Sequence, residues 1–513
     1  MTTQPAPANA GPARAEQSLR RTLLSPGYLR LLLLCVLLGV PIALACFFFV
    51  GLQHELEHWL WTSLPEAAGY DAPPWWWPLP ALVLAGLILA PIVTRMPGAG
   101  GHLPVNGLGG APVGPRALPG AVLAALATLP LGVVLGPEAP LMAVGSGLAL
   151  LAVRRAGAAR DPRASAILAT AGSTAAISTI LGGPVAAAVL LIEGAGLAGT
   201  QLVALLLPCL LATATGALVF TGFGQWTGLK IGALALHDLP PAVNPDAGDF
   251  LWGVPTAALI AVLVALAREL GHRTVSWTRH RTAVRTVACA TAVGVCLAAY
   301  ALITGRSPAE AALSGQATLA ELAAHPHAWS VGALVALVAC KGLAWGIALG
   351  SLRGGPIFPA VLLGAATAMA CSGLPGFGPT PALALGISAA AAAVTGLPLA
   401  SSVLAVLLMG GDAYDQMPLI VIASVVALIV SQLVRRGEPG RGPGPGPGSG
   451  PGPGPEPGPG PGPEPGPGPG PEPGPGPRPE PGPGPRPGPG QKPEPGPKPG
   501  PAAAGGPAAE TAP

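Results

Sequence analysis

Long apolar runs recur along this chain and decide its fold class. A helix that crosses a membrane needs about 20 mostly apolar residues, and soluble domains carry roughly 25% charged residues. Only 10% of these 513 residues are charged. The chain is therefore predicted to be an all-α, polytopic membrane protein, with the spanning runs Leu31–Gly51, Trp75–Val93, Leu118–Leu135, Leu202–Thr221, Leu251–Ala267, Thr286–Ile303, Val331–Gly350 and Pro418–Val434.

Shorter apolar segments, interrupted by glycine and proline, lie between these runs: Pro140–Val153, Ala164–Ile180, Pro184–Ile192, Ile357–Met369, Pro381–Val394 and Pro398–Met409. Some of them repeat. The motif P-[VL]-A-x-x-V-L occurs at Pro184 and again at Pro398, and "GPEAPLMAVGSG" at 136–147 matches "GGPIFPAVLLGA" at 354–365. Two related halves with broken helices are typical of transporters that bind their substrate at the repeat interface. We expect the halves at about residues 29–222 and 251–436.

The two ends of the chain are polar and differ from the apolar region 29–436. Arg14, Arg20 and Arg21 precede the first apolar run, so the positive-inside rule predicts a cytoplasmic N-terminal tail at 1–28. Arg435 and Arg436 place the C-terminus on the same side of a cell membrane. Residues 437–513 are a Pro-Gly-rich stretch with nothing apolar to bury, which predicts a disordered tail.

Composition argues against several other classes of protein. The net charge of +3 gives no reason to expect a nucleic-acid partner. The seven cysteines lie in or beside apolar segments without a CxxC spacing, so we interpret them as small buried hydrophobic residues. No metal and no cofactor is predicted.

"HELEH" at 54–58 fits the zinc-protease pattern H-E-x-x-H, in which two histidines bind the metal and Glu55 acts as the base. The pattern is short, and it directly follows the first apolar run in a segment rich in tryptophan. We interpret it as an amphipathic segment at the membrane interface. An intramembrane metalloprotease is kept as an alternative.

Glu138 is one of two clear acids within the apolar region, the other being Glu193. Ionisable groups inside a membrane are costly and usually face a polar pathway. Gly136 and Pro137 precede Glu138 and suit the start of a helix, where free N–H groups favour negative charge. A carboxylate in such a position can compete with a free anion, and protonation would weaken its hold. The local sequence predicts a gate for anions.

The order of these motifs resembles the CLC family of chloride channels and chloride/proton exchangers over most of residues 30–434. "GGHLP" at 100–104 stands where the family has GSGIP, "GPEAP" at 136–140 resembles G-[KR]-E-G-P, and "GGPIFP" at 354–359 resembles the GxFxP anion-binding turn. The resemblance implies a pair of inverted repeats with tilted and broken helices, a homodimer with one pore per subunit, and Glu138 as the gating glutamate. It implies an anion-binding set of Gly100, Gly101, His102, Leu103, Gly136, Pro137, Ala139, Gly355, Ile357 and Phe358.

The sequence also departs from the family pattern. Gly101 replaces the serine whose hydroxyl coordinates the anion, and Pro356 lacks the N–H expected at its position. Gly194 aligns with the proton-transfer glutamate of the exchangers, which leaves Glu193 as the candidate for a proton pathway. No tyrosine follows Met417 before the Pro-Gly tail, and Tyr414 reads as loop.

These departures favour a passive chloride channel, gated by pH or voltage, over a chloride/proton antiporter. A fluoride transporter is a further alternative because the serine site is altered.

Overall fold

The computed structural model describes residues 12–108, 112–155, 161–228, 236, 239 and 244–435. All of the described residues lie within one compact unit, Met1–Gly452. The predicted tail at 437–513 lies outside the described residues, as do residues 1–11 of the predicted N-terminal tail at 1–28.

The described residues form α-helices joined by turns and loops, without a β-strand among them. The first group of helices comprises α1 Pro12–Leu23, α2 Pro26–His58, α3 Leu64–Ala67, α4 Pro78–Arg95, α5 Leu118–Leu126, α6 Glu138–Arg155, α7 Pro162–Ser178, α8 Pro184–Gly194 and α9 Gly199–Thr227. The second group comprises α10 Ala247–Thr278, α11 Thr282–Thr304, α12 Gln316–Ala324, α13 Val331–Ser351, α14 Ile357–Cys371, α15 Pro379–Thr395, α16 Pro398–Met409 and α17 Ala413–Arg435.

Seven stretches of the described residues are long and apolar enough to cross a membrane: Pro26–Ala67, Pro78–Arg95, Gly199–Thr227, Ala247–Thr278, Thr282–Thr304, Val331–Ser351 and Ala413–Val434. Seven of the eight predicted runs fall on these helices, and all six shorter segments are helical. The prediction of an all-α, polytopic membrane protein is confirmed.

The eighth predicted run, Leu118–Leu135, is not a membrane span. Helix α5 ends at Leu126, and the chain continues to Pro137 without helix. Pro130 accepts a hydrogen bond from Trp61 Nε1 at 3.0 Å, and Gly132 has a φ of 99°, which a residue with a side chain rarely adopts. Leu129, Val133, Val134 and Leu135 are buried in the protein. The run is therefore a short helix followed by a buried apolar loop, and hydropathy alone does not distinguish this from a membrane span.

The repeated sequence motifs coincide with a repeated packing arrangement. Helices α6, α7 and α8 pack in succession in one half, and α14, α15 and α16 do so in the other. In the first set Gly145 and Gly172 meet so closely that a side chain on either would collide with the other's carbonyl oxygen. Gly364 and Gly386 form the same kind of contact in the second set. Both helix pairs thus cross where glycine permits close backbone approach.

Candidate anion site

The buried carboxylate of Glu138 joins the two sets of helices. Glu138 is the first residue of α6, and its side chain is 0% exposed. Its Oε1 accepts a hydrogen bond from the backbone N–H of Phe358, in the first turn of α14, at 2.9 Å. The backbone N–H of Ile357 also interacts with this carboxylate. The acid at the start of one helix therefore occupies the free N–H groups at the start of its counterpart.

Two glycines make room for this carboxylate. Gly136 and Gly355 pair as an antiparallel bridge, with N···O distances of 2.8 and 2.5 Å. A Cβ atom on either residue would collide with the Glu138 side chain. The second oxygen of the acid, Oε2, is buried and accepts no hydrogen bond from the described residues. The site is thus a small cradle of backbone that holds one oxygen of the acid and leaves the other free.

The predicted loop at 100–103 begins with residues whose φ angles are positive. Gly100 and Gly101 have φ values of 75° and 96°, and Ala99 has 47°. Gly100 is buried, Leu103 is half-buried and His102 is exposed. The backbone N–H groups of His102 and Leu103 donate no hydrogen bond to any described residue. This segment therefore offers two free amide donors.

The remaining predicted anion-binding residues flank the same cradle. Pro137 is buried beside Glu138, and Ala139 follows it half-buried in the first turn of α6. Pro356 precedes the first residue of α14, so its missing N–H falls just outside the helix and leaves the amides of Ile357 and Phe358 free of its effect. Pro137 is thus adjacent to the acid in sequence, and Pro356 is adjacent to Gly355 of the cradle.

Comparison with known proteins shows which family this chain belongs to. The sequence model described as "Voltage gated chloride channel" matches residues 104–432. The chain belongs to this family. It is 35% identical over 162 residues to the protein named "Putative ion-transport protein YfeO" in Salmonella paratyphi A, and equally so to that of Salmonella newport. These matches cover 30% of this chain and only 37% of the length of each relative.

Solved structures share the fold of this chloride-channel family member. A "slow cyanobacterial Cl-/H+ antiporter" superposes with a TM-score of 0.66 at 16% identity, covering 80% of this chain and 95% of the other. A "CLC-type fluoride/proton antiporter" gives a TM-score of 0.59 at 18% identity, covering 79% of this chain and 95% of the other. At these identities the likeness establishes the fold, and it confirms the predicted CLC-like architecture.

Two buried cations of this family member were not among the predicted site residues. Arg353, only 8% exposed, donates from Nε and Nη2 to the Ala99 carbonyl at 3.1 and 3.0 Å. Lys341 is 0% exposed and donates from Nζ to the carbonyls of Ala311, Ala312 and Leu313. They are the only charged residues between Val331 and Gly411, which is a signal that the sequence contains.

Glu193, near the end of α8, contacts the start of α16. No contact among the described residues connects it to the Glu138 cradle. Its two oxygens accept hydrogen bonds from the backbone N–H groups of Leu399 and Ala400, at 3.0 and 2.7 Å. The acid therefore caps α16 from the end of α8, which links the two halves a second time.

The "HELEH" segment forms the end of α2. His58 Nδ1 lies 3.3 Å from Ser63 Oγ, and Gln53 donates to Glu57 at 2.9 Å. No group of three His, Cys, Asp or Glu able to hold a metal occurs in the described part of the chain. The expectation that Tyr414 lies in a loop is wrong, because it lies in the first turn of α17, where its side chain is 72% exposed.

Proposed function

We propose that this protein lets chloride, or another small anion, pass through a cell membrane along a pathway gated by Glu138. The observation that carries the proposal is the hydrogen bond of 2.9 Å from the Phe358 N–H to the Glu138 carboxylate. Backbone amides at a helix start can replace the hydration shell of an anion. A carboxylate that holds such an amide blocks the place where an anion would bind.

The predicted anion-binding residues take their roles from this arrangement. In the open state Glu138 swings away, and the amides of Ile357 and Phe358 bind the anion together with those of His102 and Leu103. Gly100, Gly101, Gly136 and Gly355 allow the backbone to approach the anion closely. Pro137 and Ala139 shape the start of α6. Protonation of Glu138 favours opening, because a neutral acid is a weaker acceptor.

Passive conduction is the mechanism that we propose. An exchanger needs a second proton carrier, and Gly194 has no carboxyl group where the family resemblance places one. Both carboxylate oxygens of Glu193 accept hydrogen bonds from backbone N–H groups of α16, so the acid is engaged in capping that helix. We further propose that the protein acts as a homodimer in the cell membrane, with both termini in the cytoplasm.

The test is a measurement of zero-current voltage on purified protein in planar bilayers, under a chloride gradient with and without a pH gradient. A passive channel follows the chloride gradient alone. A shift on imposing the pH gradient would replace the channel by a chloride/proton antiporter. The absence of both current and chloride efflux from proteoliposomes, compared with protein-free vesicles, would overturn anion transport itself.

A further inference from the structure

We propose that the buried guanidinium of Arg353 supplies the positive charge that attracts the anion to this site, and so sets its anion affinity. The inference rests on the proposed anion transport and assigns to one residue the role that the serine hydroxyl, replaced by Gly101, would otherwise share. Four observations support it: the position of Arg353, the count of its hydrogen bonds, its unpaired charge, and the free amides beside it.

Arg353 lies between the two predicted anion-binding segments. Its backbone directly precedes Gly354 and Gly355, and Thr128 Oγ1 fixes it by donating to the Arg353 carbonyl at 2.7 Å. Its side chain reaches across to the loop of the first half, where it binds the Ala99 carbonyl. A Cβ atom built on Gly100 would lie 3.5 Å from Arg353 Nε. The glycine therefore keeps this part of the guanidinium free of a covering side chain.

Four of the five N–H donors of the Arg353 guanidinium form hydrogen bonds with described residues. A guanidinium has five N–H donors. Nε and Nη2 each donate to Ala99, and Nη1 donates to the carbonyls of Ser351 and Leu352 at 3.3 and 3.1 Å. One Nη2 hydrogen thus forms no hydrogen bond with the described residues. It is available to a ligand.

No counterion of Arg353 lies among the described residues. All three of its partners are neutral carbonyls, and no carboxylate of the described residues forms an ion pair with it. Buried charges are normally paired, because burial without a partner is costly. A buried cation without a partner among the described residues, bonded to the segment that leads to the amides of His102 and Leu103, is the environment that a small anion requires.

Lys341 provides the contrast. Its three N–H donors match three carbonyls at 2.9, 2.9 and 3.2 Å, so that its hydrogen-bonding capacity is complete. Those carbonyls belong to the turn before α12, outside the loops at 100–103 and 355–358. Of the two buried cations, only Arg353 combines a free donor with contact to a predicted anion-binding loop.

The competing explanation is that Arg353 only fastens the two loops together through Ala99. Substitutions that separate charge from geometry distinguish the two. Lysine retains the charge but loses the planar fork that binds the carbonyls, whereas glutamine loses the charge. Arg273 is the matched control, because it pairs with Glu269 on the surface of α10 and its side chain is 77% exposed. R273Q removes the same unit charge from the protein.

The experiment measures chloride binding by isothermal titration of the purified full chain in detergent, and chloride efflux from proteoliposomes, for wild type, R353K, R353Q and R273Q. We expect R353Q to weaken apparent chloride affinity by about tenfold or more, since one charge near the ion is worth at least about 1.4 kcal/mol there. R353K should stay within about threefold of wild type, and R273Q should be unchanged.

Equal loss in R353K and R353Q, accompanied by a lower melting temperature in both, would overturn the proposal in favour of a fastening role. Wild-type affinity in a folded R353Q would also overturn it. If R353Q does not fold, R353K decides alone: retained affinity supports the charge, and a loss of about tenfold in folded protein contradicts it. A wild-type chain that neither binds nor passes chloride would instead reject the proposed function.

Discussion

Gly136 and Gly355 exchange a pair of backbone hydrogen bonds, and the carboxylate of Glu138 rests against both residues. The bridge connects the turn before α6 to the turn before α14, so the equivalent motifs of the two halves meet at one point. Because neither glycine has a side chain, the acid fits within the bridge. The absence of a side chain at both glycines is therefore as necessary to this cradle as the acid itself.

Substituting Gly355 by alanine should expel the Glu138 carboxylate. Its φ is not in the left-handed region, so the backbone accepts alanine and only the space of the acid is affected. We expect a loss of about 1–3 kcal/mol in the free energy of unfolding, as for other overpacked sites. Chloride efflux should also respond less to pH than in wild type, because the acid no longer holds the Phe358 amide.

The control for this substitution is G342A in α13, where a new Cβ meets nothing within 4 Å. It should be neutral or slightly stabilising, as alanine is the better helix former. Thermal unfolding in detergent and efflux at acidic and neutral pH provide the two measurements. A G355A protein with wild-type stability and wild-type pH response would contradict the cradle.

Glu138→Gln should make anion flux insensitive to pH. Glutamine keeps an oxygen for the Phe358 N–H but carries no charge at any pH, and a charge-assisted hydrogen bond is worth about 1.5 kcal/mol or more. We therefore expect efflux at neutral pH to rise by about tenfold over wild type, toward the rate in acid.

The matched control is E310Q, which removes a carboxylate paired with Arg306 at 2.8 Å rather than with the cradle. It should leave the pH profile of wild type in place. Initial rates of chloride efflux over a range of pH measure both variants. If E138Q kept the wild-type pH profile, Glu138 would not be the gate.

The sequence predicted the elements of the site better than their connections. Glu138 stood out because it is a lone acid within an apolar region, and Phe358 came from the family resemblance. That the acid binds the Phe358 amide of α14 depends on a contact over 220 residues of sequence separation. Local patterns carry no information on such a contact.

Arg353 shows a different limit. It is an isolated cation beside a Gly-Gly pair, and this alone marks it as unusual within an apolar stretch. Its partner, the Ala99 carbonyl, is a backbone atom and leaves no trace in the sequence. The wrong prediction of a membrane span at Leu118–Leu135 has another cause. Lipid and the protein interior both favour apolar residues, so an apolar sequence does not tell which of them surrounds it.

Glu193→Ala should destabilise the protein while sparing conduction. The acid caps α16 through two backbone N–H groups, and the loss of such a cap typically costs about 1–2 kcal/mol. Unfolding in detergent and chloride efflux per folded protein measure the two effects. S330A removes the single N-cap hydrogen bond of α13 and should cost no more.

E193Q completes the comparison, because it retains acceptor oxygen without charge. We expect a stability between those of E193A and wild type, with unchanged chloride efflux. The opposite pattern, normal stability but loss of proton movement coupled to chloride, would assign Glu193 to a proton pathway.

Lys341→Met should be the most destabilising of these substitutions outside the cradle. Methionine has a similar length but no donor, so the carbonyls of Ala311, Ala312 and Leu313 would stay buried without their partner. We expect a loss of roughly 2–4 kcal/mol in the free energy of unfolding.

The same turn binds the first half, since the Leu313 N–H donates to the Gly132 carbonyl at 3.3 Å. Relaxation of the turn therefore reaches the loop that leads to Glu138, and efflux should fall along with stability. L343M, on the exposed face of the same helix, controls for the introduction of methionine. Equal melting temperatures for K341M and L343M would show that the three carbonyls find other partners.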